Sequence, residues 1–455
     1  MVKSVVIIGG GAGGIDVLEL LQRGKDEATE ETDKKTKITL IKKEREGFFS
    51  SCGLPFALEG LYGINDLVLF DPDLYREKGV DFRTGTEVTS IDLENSSVRL
   101  DTGEEIQYDS LVIATGSKPF IPPVAGTNLD GVFTLWGRED GEKIKAAMDA
   151  EGTNNALIIG GGLIGLQAAV AFSKNGIKTT LVEMLPSLLP TILDADMASV
   201  VQKWLRNDLT FIFGKPVAAI RGEERVESVI VGGKEIPADI VLISAGMRPN
   251  VDIVKQAGIE LGESGGIVVD RSLRVKRGRS YLDNVYALGD CIEVIDAVTY
   301  RPRLSQLAST ALIQARVVSN NLLGISSSYE PCLSPTVANV SGLQVGSVGV
   351  TSETARRYGI GTKVGKAVKY TKARFFPTRK LIVAKMIFEA DTERLIGAQL
   401  ISGETIAERI NELTLAIKTG MAANDIVMRE RCFEPSLTMV EDVIVDAAIK
   451  AREQW

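Results

Sequence analysis

The 455-residue chain contains no histidine. That absence removes the commonest general base of neutral-pH catalysis and the commonest zinc ligand. Chemistry here must run on carboxylates, thiols, hydroxyls, lysines or a bound cofactor, and no metal site is expected. Cysteine is scarce as well. Cys52, Cys291, Cys332 and Cys432 are scattered and do not form the framework of a secreted disulfide-rich protein. A reducing, cytoplasmic setting is the default reading. No apolar run reaches the roughly 18 residues of a membrane span, and none is expected. The chain enters a strand-like run at Lys3–Ile8 with no signal-peptide pattern. A net charge of −8 argues against nucleic acid as the main partner. What is present is a 44% apolar composition, enough for sizeable cores in two to four domains.

Two glycine-rich turns of one design stand out. The first is Ile7-Ile8-Gly9-Gly10-Gly11-Ala12-Gly13-Gly14; the second is Ile158-Ile159-Gly160-Gly161-Gly162-Leu163-Ile164-Gly165. Each follows an apolar β-branched run and opens an apolar helical stretch, the setting of a G-x-G-x-x-G dinucleotide fingerprint. One glycine makes the tight turn, one admits the pyrophosphate and one lets helix pack on strand. The helix N-terminus then faces the phosphates with its positive end. Glycines that only make turns are the rival reading, and the flanking strands and helices argue against it. Two such motifs imply two dinucleotides on one chain, with electrons passing between them.

The second unit carries Glu183 at the end of the strand Thr179–Glu183, near the place that grips a ribose 2′-hydroxyl. Met184, Leu185 and Pro186 follow, with no arginine for a 2′-phosphate, which favours NADH over NADPH. The first unit differs. Its strand Lys37–Ile41 runs into Lys42 and Lys43, and the first acid is Glu44. Either Glu44 serves from a shifted position or the ribose contact is of another kind.

Along the chain, helices are expected at 12–23, 163–174 and 305–323, and further strands at Ser96–Leu100 and Leu111–Thr115. The charged stretch Asp26–Lys37 reads as a solvated loop or helix extension. Gly116, Pro119, Pro122 and Pro123 mark a domain crossing. The second nucleotide unit runs from Ala156 to about Gly246. After Ser326 the texture changes to strand-like runs at 336–350 and 381–401, then helices near 404–420 and 438–453, a separate α+β domain.

Three further segments carry a resemblance over essentially the whole chain. Tyr108–Gly116, Gly246-Met247-Arg248-Pro249-Asn250 and Tyr286-Ala287-Leu288-Gly289-Asp290 join the first glycine turn in an order that resembles the FAD- and NAD(P)-dependent pyridine nucleotide-disulfide reductases. The resemblance implies an α/β fold with two Rossmann-like dinucleotide-binding domains plus a C-terminal α+β dimerisation domain. Residues 1–117 and 247–326 would form the FAD-binding domain, 118–246 the NAD-binding domain and 327–455 the dimerisation domain. FAD would lie against Gly9, Gly11, Ala12, Gly13, Gly14, Lys42, Glu44, Ser51, Ala114, Thr115, Gly116, Gly289 and Asp290, whose carboxylate would hold the ribityl chain. NADH, with NADPH as the lesser option, would lie against Gly160, Gly162, Leu163, Ile164, Gly165, Glu183 and Gly246. The helix opening at Leu307-Ala308-Ser309 would favour negative charge on reduced flavin. A homodimer is implied, in which one subunit's C-terminal domain completes the other's active site.

Phe49-Ser50-Ser51-Cys52-Gly53-Leu54-Pro55 carries the thiol chemistry. Pro55 suits the first turn of a helix through Phe56–Glu59. Cys52 then sits at a helix N-terminus, where the dipole favours a thiolate. The rival reading is a buried cysteine packing as a small hydrophobe. Dithiol members of the resembled family use Cys-x-x-x-x-Cys, and here positions 47 and 57 are Gly47 and Ala57. The lone cysteine resembles the single-cysteine branch: coenzyme A-disulfide and coenzyme A-persulfide reductases, NADH oxidases and NADH peroxidases. Cys-Gly-Leu-Pro leans towards the coenzyme A group, with Arg23 as a candidate phosphate contact for coenzyme A. The first glycine turn lacks the histidine common in oxidases and peroxidases. In Cys432-Phe433-Glu434-Pro435-Ser436, Glu434 takes the place of the histidine of dithiol members, and Phe433 is the nearest match to a tyrosine of the coenzyme A group. Cys52, Glu434 and Cys432 are therefore the candidate catalytic residues, Cys432 as a resolving thiol from the partner subunit or as simple packing. Cys291 and Cys332 read as structural. The expected substrate is a small-molecule disulfide, persulfide or polysulfide. The alternative is oxygen or peroxide, with Cys52 cycling through sulfenic acid.

Overall fold

The computed structural model describes residues 4–27 and 36–455. Most of the charged stretch Asp26–Lys37, and Lys3 of the first predicted strand, lie outside the described residues.

Three sheets organise the chain. The first has six strands in the order Arg274–Arg277, Ser280–Ala287, Ser110–Ile113, Ser4–Ile8, Lys37–Ile41 and Asp81–Arg83. All neighbours pair in parallel except the outer 274–287 hairpin. The second is wholly parallel, in the order Val132–Phe133, Ile240–Ile243, Asn155–Ile159, Lys178–Glu183 and Leu209–Phe213. Parallel strands covered on both faces read as unbroken apolar runs rather than alternating ones. Val5–Ile8 and Ala156–Ile159 are accordingly buried along their whole length. The third sheet is antiparallel: Thr336–Val340, Leu343–Gly349, Leu395–Ser402, Leu381–Glu389 and Thr362–Tyr370. Helices Ala407–Lys418, Ala423–Met428 and Val443–Arg452 share its core.

Several predicted bounds shift. The first helix runs on to Glu27 rather than stopping at 23. The runs 336–350 and 381–401 each fold as a hairpin, turning at Ser341-Gly342 and at Glu393, where φ is positive. The predicted 305–323 helix starts only at Ala308, because Leu307 is extended at φ −129° and ψ 132°. Ser305 before it is spent on hydroxyl contacts with Thr310 at 3.1 Å and Ser334 at 3.0 Å.

The chain leaves the first sheet and returns to it through one ribbon. Ser117–Pro119 pairs antiparallel with Met247–Pro249. Thr115 Oγ1 donates to the Asn250 carbonyl at 2.6 Å, and Asn250 N donates to the Gly116 carbonyl at 2.9 Å. This double crossing ties the two nucleotide units together at the C-terminal ends of their central strands, where ligands of doubly wound sheets bind.

Candidate active site

The two glycine turns are built alike. Gly9 (φ 107°) and Gly160 (φ 116°) hold conformations that side chains rarely adopt. A Cβ on Gly9 would lie 2.1 Å from the Ala114 carbonyl oxygen, and one on Gly160 2.2 Å from that of Ser244. A Cβ on Gly14 or Gly165 would strike the carbonyl oxygen of Gly9 or Gly160, at 2.0 and 2.2 Å. Gly13 is closed by Leu288 Cδ1 at 2.4 Å. Gly11 and Gly162 differ from these: a Cβ there would meet nothing within 4 Å. Each turn thus packs tightly on its inner side and leaves its middle glycine open at a helix N-terminus, the shape that accepts a pyrophosphate. Ala12 and Leu163 open the two helices, and Ile164 is exposed beside the second turn.

Beneath the turns the symmetry breaks. Ile8 pairs with Ile41, and Ile159 with Val182, so Lys42 and Glu183 occupy the same place in their units. Glu183 is buried, and both its oxygens take backbone donors: Oε2 from Gly161 N at 2.7 Å and Oε1 from Leu185 N at 2.8 Å. Lys42 is also buried, with its Cδ 2.6 Å from where a Gly10 Cβ would stand. Its ammonium donates to the Gly47 carbonyl, and the half-exposed Glu44 carboxylate lies 3.8 Å away. Burial holds the Lys42 ammonium below its ordinary pKa, with Glu44 and Glu46 opposing that shift.

The other predicted FAD-facing residues gather at the first turn. Ala114, Thr115 and Gly116 follow the strand paired with Ser4–Ile8. Gly289 N donates to Gln314 Oε1 at 2.7 Å, fixing the short turn that presents Asp290. Asp290 accepts from Ser117 Oγ at 2.8 Å, yet burial pushes its carboxyl above the usual carboxylate range. A desolvated carboxyl with one neutral partner, beside an open glycine cradle, fits a polyhydroxyl chain that donates to it. Leu307 caps the helix Ala308–Leu322 without any side-chain cap, and Ala308 and Ser309 are exposed, so the first backbone donors are free for a ligand. Gly246, exposed at φ 109°, lies at the end of the second unit. These residues fit a flavin dinucleotide at the first turn and a nicotinamide dinucleotide at the second.

Cys52 is exposed in the single turn Ser51–Gly53, which runs directly into the helix Leu54–Glu59 with Pro55 in its first turn. A Cβ on Gly53 would lie 2.2 Å from Leu67 Cδ2, so a side chain after the thiol would have to displace the Leu67 side chain. All four cysteines are free. Cys291 and Cys332 are buried, and burial raises both thiols, Cys291 to about 11. Cys432 is exposed on the irregular segment after Met428. Glu434 is exposed and turned onto its own loop, its Oε2 accepting from Ser436 N at 2.9 Å and from the Ser436 hydroxyl. Arg23 is exposed on the first helix.

Sequence reasoning passed over several residues. Ser117 and Gln314 hold predicted FAD-facing residues, Asp290 and Gly289, through hydrogen bonds spanning 173 and 25 positions. Leu58, two turns past the thiol, is fully buried in the core of the second sheet. None of these shows a local sequence signal.

Two dinucleotide cradles joined by a crossing ribbon, with an exposed thiol between them in sequence, define an NAD(P)H-dependent flavoprotein oxidoreductase. The Pyridine nucleotide-disulphide oxidoreductase family model matches residues 3–315, and that of the family's dimerisation domain matches residues 335–443. The chain belongs to this family. It is 35% identical over 450 residues to an NADH oxidase of Methanocaldococcus jannaschii, covering 97% of both chains. It is 28% identical over 447 residues to an NAD(P)H coenzyme A polysulfide/persulfide reductase of Pyrococcus horikoshii, covering 98% of this chain and 97% of that one. The solved structure of an NAD-dependent persulfide reductase from A. fulgidus matches with a TM-score of 0.94 at 30% identity, over 99% of this chain and 83% of that one. Among the described residues no helix is long and apolar enough to cross a membrane.

Proposed function

We propose that the protein uses NADH to reduce coenzyme A disulfides, persulfides or polysulfides through Cys52. The observation that carries this reading is an exposed thiol at the mouth of a short helix, with no second cysteine at positions 47 or 57. Gly160, Gly162, Gly165 and Glu183 would hold NADH, and Gly9, Gly11, Gly14 and Asp290 would hold FAD. FAD, when bound, supplies the passage of two electrons from NADH to the thiol site. The Cys52 thiolate attacks a substrate S–S bond; that bond breaks, one thiolate leaves and a mixed disulfide forms on Cys52. Two electrons then cleave the mixed disulfide, the second thiol leaves with a proton, and the Cys52 thiolate returns. The sum is NADH + H⁺ + RSSR → NAD⁺ + 2 RSH; with a persulfide the products are RSH and H₂S.

The family match to a dimerisation domain supports a homodimer, as do the exposed apolar Phe375, Met428, Phe433, Leu437 and Val440. In that dimer the 429–442 segment would reach the partner's Cys52, which is where Cys432 and Glu434 would act. The likeness to an NADH oxidase favours a second reading. In it the Cys52 thiolate opens a peroxide O–O bond and cycles through sulfenic acid.

The test is a comparison of acceptors for the NADH-reduced holoenzyme. Coenzyme A disulfide, coenzyme A persulfide and inorganic polysulfide are assayed anaerobically, and oxygen separately. A sulfur acceptor should exceed oxygen in kcat/KM by at least about tenfold, roughly 1.4 kcal/mol in transition-state terms. Fast oxygen reduction to water with no turnover of sulfur acceptors would overturn the proposal in favour of the oxidase.

A further inference from the structure

The helix that follows the thiol, Leu54–Glu59, belongs to the first nucleotide unit by sequence but is packed on the second. Leu54, Ala57 and Leu58 are buried, and none of them joins the core of the first sheet. Leu58 instead sits among Ile144, Met148 and Phe172 of the second unit. Leu54 lies so close to the helix Arg138–Asp149 that a Cβ on Gly141 would stand 2.5 Å from Leu54 Cδ2. Polar contacts finish the joint. Asn175, the C-cap of the helix Leu163–Lys174, donates from Nδ2 to the Leu58 carbonyl at 3.0 Å and to the Ala171 carbonyl at 2.8 Å. Lys174 pairs with Glu59. The thiol helix ends at Gly60, where Gly60 N donates to the Ala57 carbonyl at 3.0 Å and Leu61 N to the Phe56 carbonyl at 3.1 Å, a closure that does not serve the Leu58 carbonyl. Asn175 serves it from outside.

Helix Leu163–Lys174 therefore has two working ends. Its N-terminus opens at Gly162 onto the second dinucleotide cradle; its C-cap closes the far end of the thiol helix. A helix of 12 residues spans ~18 Å, the distance over which its two ends are joined. We infer that Asn175 is a positioning residue for Cys52, and that this helix couples occupancy of the second cradle to the reactivity of the thiol. The inference rests on reading Cys52 as the working thiol, but its test reads the thiol directly rather than turnover.

The experiment alkylates the oxidised-flavin holoenzyme with iodoacetamide, with and without saturating NAD⁺, following Cys52 by mass spectrometry. NAD⁺ should change the Cys52 rate by about fivefold in the unmodified protein, within the usual range of coupling between sites. Asn175→Asp keeps the shape of the cap and removes its donor, and should bring that ratio below about twofold. Lys174→Met, at an exposed ion pair, should lower the ratio partway and serves if Asn175→Asp fails to fold. By linkage, holoenzyme already alkylated at Cys52 should show an altered NAD⁺ dissociation constant, and Asn175→Asp should abolish that change too. No NAD⁺ effect in the unmodified protein would overturn the inference. So would an unchanged ratio in the variants, which would mean that NAD⁺ merely covers Cys52. A protein that shows this linkage yet reduces no sulfur acceptor would sink the proposed reaction and leave the coupling standing.

Discussion

The two glycine turns share a backbone and differ in what lies under them. Gly9 and Gly160 make the same turn against the same kind of carbonyl wall, and Gly11 and Gly162 leave the same opening. Under the second turn, Glu183 gathers two backbone donors and so ties the glycine turn at Gly161 to the loop that begins at Leu185. That loop is braced further along. Leu189 N donates to the Gly161 carbonyl at 2.9 Å, and Asp194 pairs with Lys385 of the third sheet at 2.8 Å. Under the first turn, Lys42 reaches past Gly10 to the Gly47 carbonyl, at the start of the segment that leads to Cys52. The first cradle is thus tied to the thiol loop, and the second to the dimerisation sheet. A turn motif fixes where a pyrophosphate goes; the residue after the next strand fixes what else the site is fastened to.

The strongest way to break the comparison is to close either turn. Gly9→Ala and Gly160→Ala each drive a Cβ into a backbone oxygen at a positive φ, and each should cost about 3 kcal/mol or more. Thermal melts read the loss. Cofactor retention separates the sites: Gly9→Ala should purify without flavin, and Gly160→Ala with flavin but with poor NADH binding. Loss of flavin from both variants would mean that the two cradles do not act separately.

Next in size is Asp290→Asn. If the first cradle relies on Asp290 where the second relies on Glu183, FAD should bind about ten- to a hundredfold more weakly, as expected for one lost charge-assisted hydrogen bond. Fluorescence titration of apoprotein measures this. The apoprotein's pH dependence should change in a defined sense. The carboxyl of Asp290 is raised above its reference value of 3.8, so its contribution to stability is fully present below 3.8 and is lost as pH rises through the raised value. The Asp290→Asn substitution would remove that acid-side gain.

Glu183→Gln should have a smaller effect. The amide keeps one acceptor for Gly161 N and loses the charge, so the NADH dissociation constant should rise about threefold to tenfold while flavin content stays unchanged. The smallest effect belongs to Lys42→Met. A buried ammonium replaced by an apolar chain of similar length should leave neutral-pH stability within about 1 kcal/mol. Because burial lowers the Lys42 pKa, its contribution is present above the reference value of 10.5 and is lost as pH falls through the lowered value. The Lys42→Met variant should lack that alkaline rise in its melting profile.

The glycine turns were legible in the sequence because their roles are local: strand, tight turn and helix lie within eight residues. Glu183 was legible as the end of an apolar strand, but its two backbone contacts were not, since they depend on the loop to Leu185. The late start of the 308–322 helix was hidden because Ser305 and Gln306 fit helix and extended chain alike. The contacts of Ser305 with Thr310 and, across the join to the third sheet, with Ser334 favour the extended form. The seat of Leu58 was invisible for a similar reason. An apolar residue on a six-residue helix shows that it is buried, not which of two cores it enters.

In the proposed reaction Cys52 carries electrons from the nucleotide relay to sulfur. Rapid mixing of Cys52→Ser holoenzyme with NADH, and then with coenzyme A disulfide or persulfide, separates the two halves without oxygen. NADH should bleach the flavin at the wild-type rate, and reoxidation should then be no faster than in buffer. Reoxidation by the sulfur acceptor at the wild-type rate would contradict that role of Cys52.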